Sequence, residues 1–494
     1  MKSFFFLLLL LMAVLPLDAE VRLPSVIGSG MVLQRETNVK LWGTAHPGEK
    51  VSIKPSWTKQ RYFTKADSDG KWQISIPTAT AGGPYNITLG DGKGKDTLLT
   101  DVLLGEVWIC GGQSNMEMPV GGFMYQPVEG GIQASLEAVS QHPDIRMFTV
   151  PRKIATDPVT DCDTTWCLSS PLTVRTFSAM AYFFGRELQR QLKVPIGLIT
   201  SNWGGTVIEA WMDRETLNAT LRLKPEKESE YHGANAATVL YNGMICPIKG
   251  FTARGFIWYQ GESNRSNWFD YAELQKSLIH LWRKDWNNPE MPFYITQIAP
   301  YCYEGAQYRL NPLFIDQQYK AADETEHCEV ASTTDIGEYA IIHPAKKQPI
   351  AQRLAWLALG RDYGIPGMPD KMPRFRNFEE KDGKLILHFM NLTTPSNFTV
   401  SDPAQQDCFV GKNPAMGFEV AGDDRRFFPA QANHKWFQNV IEVWSDSVAH
   451  PVAVRYAYHN WPSEANVMTQ TGLPLPSFRS DDWEITDLLP PKKD

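Results

Sequence analysis

The chain is expected to be an α/β protein: a parallel sheet sandwiched by helices, flanked by N-terminal and C-terminal β-rich domains. Three observations carry this expectation. In the middle of the chain, short apolar strand patterns alternate with helical patterns, as in parallel strands joined by crossover helices. Before and after that stretch, strand patterns are separated by Gly, Pro and Asp clusters. The length, 494 residues, leaves room for about three domains.

Residues 1–19 come first. Lys2 precedes an apolar run that starts at Phe4 and extends to Leu17, closed by Asp18 and Ala19. A positive start, a short apolar core and a small residue at the end read as a signal peptide cut near Ala19. The run is short for a bilayer span. The expectation is an exported protein, secreted or periplasmic, with no stable membrane span once the segment is removed. Formal net charge is -7, from 48 basic and 55 acidic residues. Losing residues 1–19 takes away one Lys and one Asp and leaves that charge unchanged. There is no long basic run, so no nucleic-acid partner is expected, because phosphate binding needs clustered Lys and Arg. Hydrophobic residues at 43% and charged residues at 21% give an ordinary globular balance.

Residues 20–100 contain strand patterns at 39–43, 51–54, 72–76 and 85–89, which suggest a small β-sandwich. Residues 101–364 contain apolar strands at 106–110, 196–201, 255–259 and 292–297, and helical patterns at 178–192, 271–286 and 350–360. This is the expected catalytic domain. Residues 365–494 return to strand patterns at 385–389, 440–444 and 452–457, and form a second β-rich domain. Seven cysteines are few for this length, so the chain is no disulfide scaffold. Cys162 and Cys167 are close enough in a polar loop to pair, whereas Cys110 and Cys246 read as buried thiols. No Cys/His spacing resembles a zinc site, and no metal or other cofactor is expected.

Four motifs carry chemistry. An apolar strand runs into Cys-Gly-Gly-Gln-Ser-Asn-Met at 110–116. In α/β sheets reactive groups collect at the carboxyl ends of strands. Glycines there permit a tight turn that exposes the Ser114 hydroxyl, with backbone N–H groups free for an oxyanion. The competing reading is a plain helix N-cap, with Ser or Asn as the capping residue. Ser-Asn-Trp-Gly-Gly-Thr at 201–206 also follows a strand, and Gly204 or Gly205 could present an N–H to developing negative charge. Trp-Tyr-Gln-Gly-Glu-Ser-Asn at 258–264 offers the Gln260 amide and the Glu262 carboxylate. Glu262 is read as holding loops by accepting hydrogen bonds, with a catalytic acid as the alternative. The fourth motif, 335–344, places Asp335 and His343 just before a helix. A serine hydroxyl is a poor nucleophile unless a base lies within hydrogen-bond reach and is itself oriented. His343 fits the base, and Asp335 is the leading candidate to orient it.

The four motifs together resemble the sialate O-acetylesterases, a branch of the SGNH hydrolase superfamily. The matching runs are Gly-Gln-Ser-Asn-Met at 112–116, Trp-Gly-Gly-Thr at 203–206, Trp-Tyr-Gln-Gly-Glu at 258–262 and Ile-His-Pro at 342–344. Further matches are Leu-Tyr-Asn-Gly-Met at 240–244, Asp-Ile-Gly at 335–337, Arg353-Leu354, Gly-Leu-Pro at 472–474 and Pro-Ser-Phe-Arg at 476–479. The resemblance implies an SGNH-hydrolase-like fold and a serine esterase that removes O-acetyl groups from sugars through an acetyl-enzyme on Ser114. It implies an oxyanion hole made by the Ser114 N–H, a Gly204 or Gly205 N–H and the Gln260 amide. Gln113, Asn115 and Glu262 are expected to support these groups. In one respect the chain departs from the superfamily, whose acidic residue usually stands three positions before the histidine. Here that position is Ala340. Asp335, the weaker substitute Glu338, and a Ser–His dyad oriented by a backbone carbonyl all stay open.

Trp203 and Trp258 are expected to pack against sugar C–H faces, and Arg265 to meet a substrate carboxylate. O-acetylated sialic acids are the expected substrate. Acetylated xylan or another plant polysaccharide is the alternative within the same chemistry. A non-catalytic carbohydrate-binding protein and a metal-dependent hydrolase are the alternatives outside it.

Overall fold

The computed structural model describes residues 21–90, 96–221, 232–392, 398–401, 408–409, 414–435 and 439–490. The expected signal peptide lies outside these residues. Among them, no helix is long and apolar enough to cross a membrane.

The central sheet has the strand order Cys328–Ala331, Phe293–Thr296, Gly255–Tyr259, Asp96–Gly112, Ile196–Asn202, Ile145–Thr149, Cys167–Leu168. Every neighbouring pair is parallel except the last. Strands buried on both faces read as continuous apolar runs, and this is why 106–110 shows no polar alternation. Alternate side chains still divide between two cores. Ile109, Phe256, Trp258 and Phe293 join Leu274, Leu278, Trp282 and Phe314 from the helices Trp268–Asp285 and Leu310–Asp323. Trp108, Cys110, Ile257 and Tyr259 join Phe184 and Leu354 from the helices Ala179–Leu192 and Lys347–Arg361. This is the expected parallel sheet with helices on both faces.

Glu106, in the middle strand, is the polar exception. It is fully buried, and a buried charge needs partners. Arg254 donates to it at 3.0 Å, Arg35 at 2.6 Å, Gln34 at 2.8 Å and Tyr363 at 2.9 Å. Burial alone would raise its pKa, but the two arginines outweigh that and hold the carboxyl below its ordinary range.

The Asp96–Gly112 strand serves two sheets. Its first half pairs antiparallel with Gly82–Gly90 and parallel with Val32–Gln34, and its second half forms the centre of the parallel sheet. It runs unbroken through residues 100 and 101, where the sequence placed a division. Among the described residues, the C-terminal part holds two four-stranded antiparallel sheets and a three-stranded one.

Helix positions follow the patterns closely. The helix expected at 178–192 is Ala179–Leu192, with Ser178 capping it by accepting the Ala181 N–H at 3.1 Å. The helix expected at 350–360 starts earlier, at Lys347. The helix Leu310–Asp323 and the strand Ile145–Thr149 had no counterpart in the sequence reading. Cys162 and Cys167 do not pair; both are free thiols.

Candidate active site

Three strands end together. Gly112 stands in register with Asn202 on one side and Tyr259 on the other, so the turns that follow all three meet at one edge of the sheet. Gly112 is required there. Its φ is +144°, and a Cβ would lie 2.1 Å from the Tyr259 carbonyl oxygen. The chain then turns into the short helix Ser114–Glu117. Among the described residues no acceptor meets the Ser114 N–H, as expected at the first turn of a helix.

The loop after Cys328–Ala331 returns to this edge. His343 Nε2 lies 2.9 Å from Ser114 Oγ, across 229 positions of sequence. Nδ1 of the same ring lies 2.7 Å from Gln126 Oε1. The Phe123 ring packs edge-on against the imidazole, with centroids 5.2 Å apart. Burial, then the Lys347 ammonium, lowers the His343 pKa to about 4.

A polar network fastens the two halves. Asn115 Nδ2 donates to Glu262 Oε1 at 2.5 Å and to the Ile342 carbonyl at 3.1 Å, while its Oδ1 accepts from Lys347 Nζ at 2.5 Å. Gln113 Oε1 accepts the Gly261 N–H at 3.2 Å and the Ser263 N–H at 3.4 Å. Burial pushes the Glu262 carboxyl up, opposed by Asn115 and by the charges of Lys347 and Arg265.

Several expected groups are engaged elsewhere. The Asp335 carboxylate does not reach His343. It forms a two-pronged pair with Arg353, at 2.8 and 2.7 Å, and Gln126 occupies the place at Nδ1. The Gln260 amide is fully buried. It donates to the Thr206 carbonyl at 3.1 Å and to Asn264 Oδ1 at 2.7 Å, and accepts from Tyr271; this bonding removes it from the oxyanion hole. Arg265 is buried in a pair with Glu304 and stacks 3.4 Å from the Tyr303 ring centroid. Trp258 lies in the core against Trp211 and Trp282, out of reach of a sugar.

The 201–206 turn is present at the site. The Gly204 N–H donates to Glu117 Oε2 at 2.7 Å. A Cβ on Gly204 would sit 3.1 Å from the Ser114 Cβ, so glycine permits the close approach. A Cβ on Gly205 would meet nothing within 4 Å. Glu117 also pairs with Arg152, whose guanidinium lies over the half-buried Trp203 ring at 5.3 Å. Gln126, Glu117, Arg152 and Lys347 were not singled out by the sequence. Gln126 lies in a loop between Tyr125 and Pro127, and Arg152 in the loop after Ile145–Thr149, with no pattern to mark either; Lys347 looks like an ordinary helix-start lysine. Among the described residues no group of His, Cys, Asp and Glu is arranged to hold a metal ion.

A hydroxyl beside an imidazole and the open Ser114 N–H at the carboxyl edge of a parallel sheet define the class of carboxylic ester hydrolases. Residues 104–348 match the family described as carbohydrate esterase, sialic acid-specific acetylesterase. The chain is similar to a carbohydrate acetylesterase from Xanthomonas citri of known structure. The two are 33% identical, with a TM-score of 0.83, over 94% of this chain and 100% of that one. It is also 28% identical to the mouse sialate O-acetylesterase, over 92% of this chain and 94% of that protein, and to the human one at 28% over 92% of each. The chain belongs to the sialic acid-specific acetylesterase family of carbohydrate esterases.

Proposed function

We propose that the chain hydrolyses O-acetyl esters of sugars, with Ser114 as nucleophile and His343 as general base. The observation that carries this is the 2.9 Å contact between Ser114 Oγ and His343 Nε2. Gln126 Oε1, as acceptor, keeps the proton on Nδ1 and leaves the Nε2 lone pair facing the hydroxyl. The imidazole takes the Ser114 proton as Oγ bonds to the acetyl carbon. The carbonyl oxygen becomes an oxyanion held by the Ser114 N–H and the Gly205 N–H, since the Gly204 N–H already donates to Glu117. His343 then protonates the sugar oxygen as it leaves. Water attacks the acetyl-enzyme, gives its proton to His343, and releases acetate and free Ser114.

Two features support a sugar with a carboxylate. The mouse and human relatives are named sialate O-acetylesterases. Arg152, with 52% of its side chain exposed, stands at the rim over Trp203, and an exposed guanidinium suits a carboxylate. Acetylated xylan remains the second reading, because the Xanthomonas citri relative is named only a carbohydrate acetylesterase. The apolar segment at 1–19 supports export, which amino-terminal sequencing of the mature protein checks. The flanking β-rich regions are read as supports for the central sheet.

Turnover of 4-nitrophenyl acetate tests the chemistry. Ser114→Ala is expected to lose at least about 1000-fold in kcat; equal rates in both proteins would end the reading. Acetate release from acetylated sialic acid and from acetylated xylan tests the substrate. Equal rates on both would remove the preference for sialic acid.

A further inference from the structure

Lys347 has no role in the reaction as written above, yet the site converges on it. Its side chain is wholly buried. Nζ donates to Asn115 Oδ1 at 2.5 Å and lies 5.7 Å from the Tyr259 ring centroid. Asn115 follows the nucleophile in sequence, and its Nδ2 holds both Glu262 and the carbonyl of Ile342, the residue before His343. One ammonium, one amide and one carboxylate therefore tie together the Ser114 turn, the His343 loop, the 258–264 turn and the start of the Lys347–Arg361 helix.

We propose that Lys347 is a positioning residue for the hydrolysis: it fixes the Ser114–His343 contact through Asn115, and its buried charge opposes a second positive charge on the imidazole. This rests on the reading of Ser114 and His343 as the reacting pair. Few charges bear on these groups. Burial lowers Lys347 to about 7, against the raising influence of Glu262 and Glu338. Lys347 in turn adds to the burial that lowers His343. Phe123 and Gln126, packed on the imidazole from the other side, are neutral. Toward Ser114, Glu117 and Arg152 pair with each other. A carboxylate behind the imidazole would raise its pKa. Here burial and the Lys347 ammonium lower it instead, so the base stays free of its proton, and usable, in mildly acidic solution.

The test is the pH dependence of kcat/KM on 4-nitrophenyl acetate for the wild type, Lys347→Met and Lys347→Arg. It is paired with an NMR titration of the His343 ring, assigned by its loss in His343→Gln. The wild-type acid limb is expected near pH 4, the value to which His343 is lowered. Lys347→Met is expected to move the limb and the ring titration up by ~1 pH unit, so that activity near pH 5 falls several-fold relative to the plateau. Lys347→Arg keeps the charge and is expected to leave the limb in place. A limb that stays put in Lys347→Met while the plateau drops would reduce Lys347 to a packing residue and overturn the proposal. A His343 ring that titrates near its ordinary value in the unaltered protein overturns it with no variant at all. An inert wild type overturns the hydrolase reading and this proposal with it, whereas an active wild type with an unmoved limb overturns this proposal alone.

Discussion

Gln126 stands where related enzymes of this chemistry place a carboxylate, and the substitution changes what the base can do. An amide accepts the Nδ1–H and fixes the tautomer, but it adds no negative charge to stabilise imidazolium. Gln126→Ala is expected to lower kcat by roughly 10- to 100-fold, because the ring loses its orientation. Gln126→Glu restores a negative charge at that nitrogen. A carboxylate favours the protonated ring, so the His343 pKa rises from about 4. The base is active only when unprotonated, and the acid limb of kcat/KM should therefore move up by ~1 pH unit. Rates measured between about pH 4 and 8 check both. A Gln126→Glu profile that coincides with wild type would show that Gln126 does not face the base in solution.

At the scale of elements, Asp335 marks the difference between a sequence position and a structural one. It lies in the loop that carries His343, but its carboxylate is bound to Arg353 on the Lys347–Arg361 helix. That guanidinium is 4% exposed and also donates to the Ser332 carbonyl. The pair pins the loop to the helix. Asp335→Asn leaves the arginine with a weakened partner and is expected to cost about 2–3 kcal/mol, with kcat and the pH profile close to wild type. Urea denaturation alongside turnover separates the roles. A large loss of kcat with unchanged stability would mean that Asp335 orients the base after all.

Across the whole molecule, Arg309 joins the start of the Leu310–Asp323 helix to the C-terminal sheets. It pairs with Glu419, donates to Asp487 at 2.7 Å and to the Tyr458 carbonyl at 2.9 Å. Burial alone would raise the Glu419 carboxyl, but His459 and Arg309 outweigh it and hold the pKa at about 2. A depressed folded-state pKa stabilises the protein fully above the ordinary value of 4.5 and loses that effect as pH falls toward about 2. Arg309→Leu leaves the mostly enclosed Glu419 carboxylate without its arginine, and is expected to cost about 3 kcal/mol near neutral pH. Tryptophan fluorescence during chemical denaturation reads this cost. A difference from wild type that does not shrink on acidification would argue that packing, and not this charge pair, is responsible.

The sequence by itself determined the class of the fold and pointed to the two side chains, Ser114 and His343, that the structure brings within 2.9 Å. Apolar runs of strand length between amphipathic helices specify a parallel sheet, and a Ser after a strand and two glycines, together with a later His-Pro, mark groups that such a sheet brings to one edge. These features are local, so they are legible in the chain. The helix Leu310–Asp323 was missed because Asn311 and Pro312 interrupt the pattern at its start and the polar Gln318 fills a buried position midway, so the apolar stripe is broken. The tertiary structure alone decided the partners. Whether Asp335 meets His343 or Arg353, whether Gln260 faces a substrate or Tyr271, and whether Lys347 lies in water or beneath the site all depend on contacts between distant segments. Hydrogen bonds and desolvation act over a few ångströms of space and are indifferent to separation along the chain.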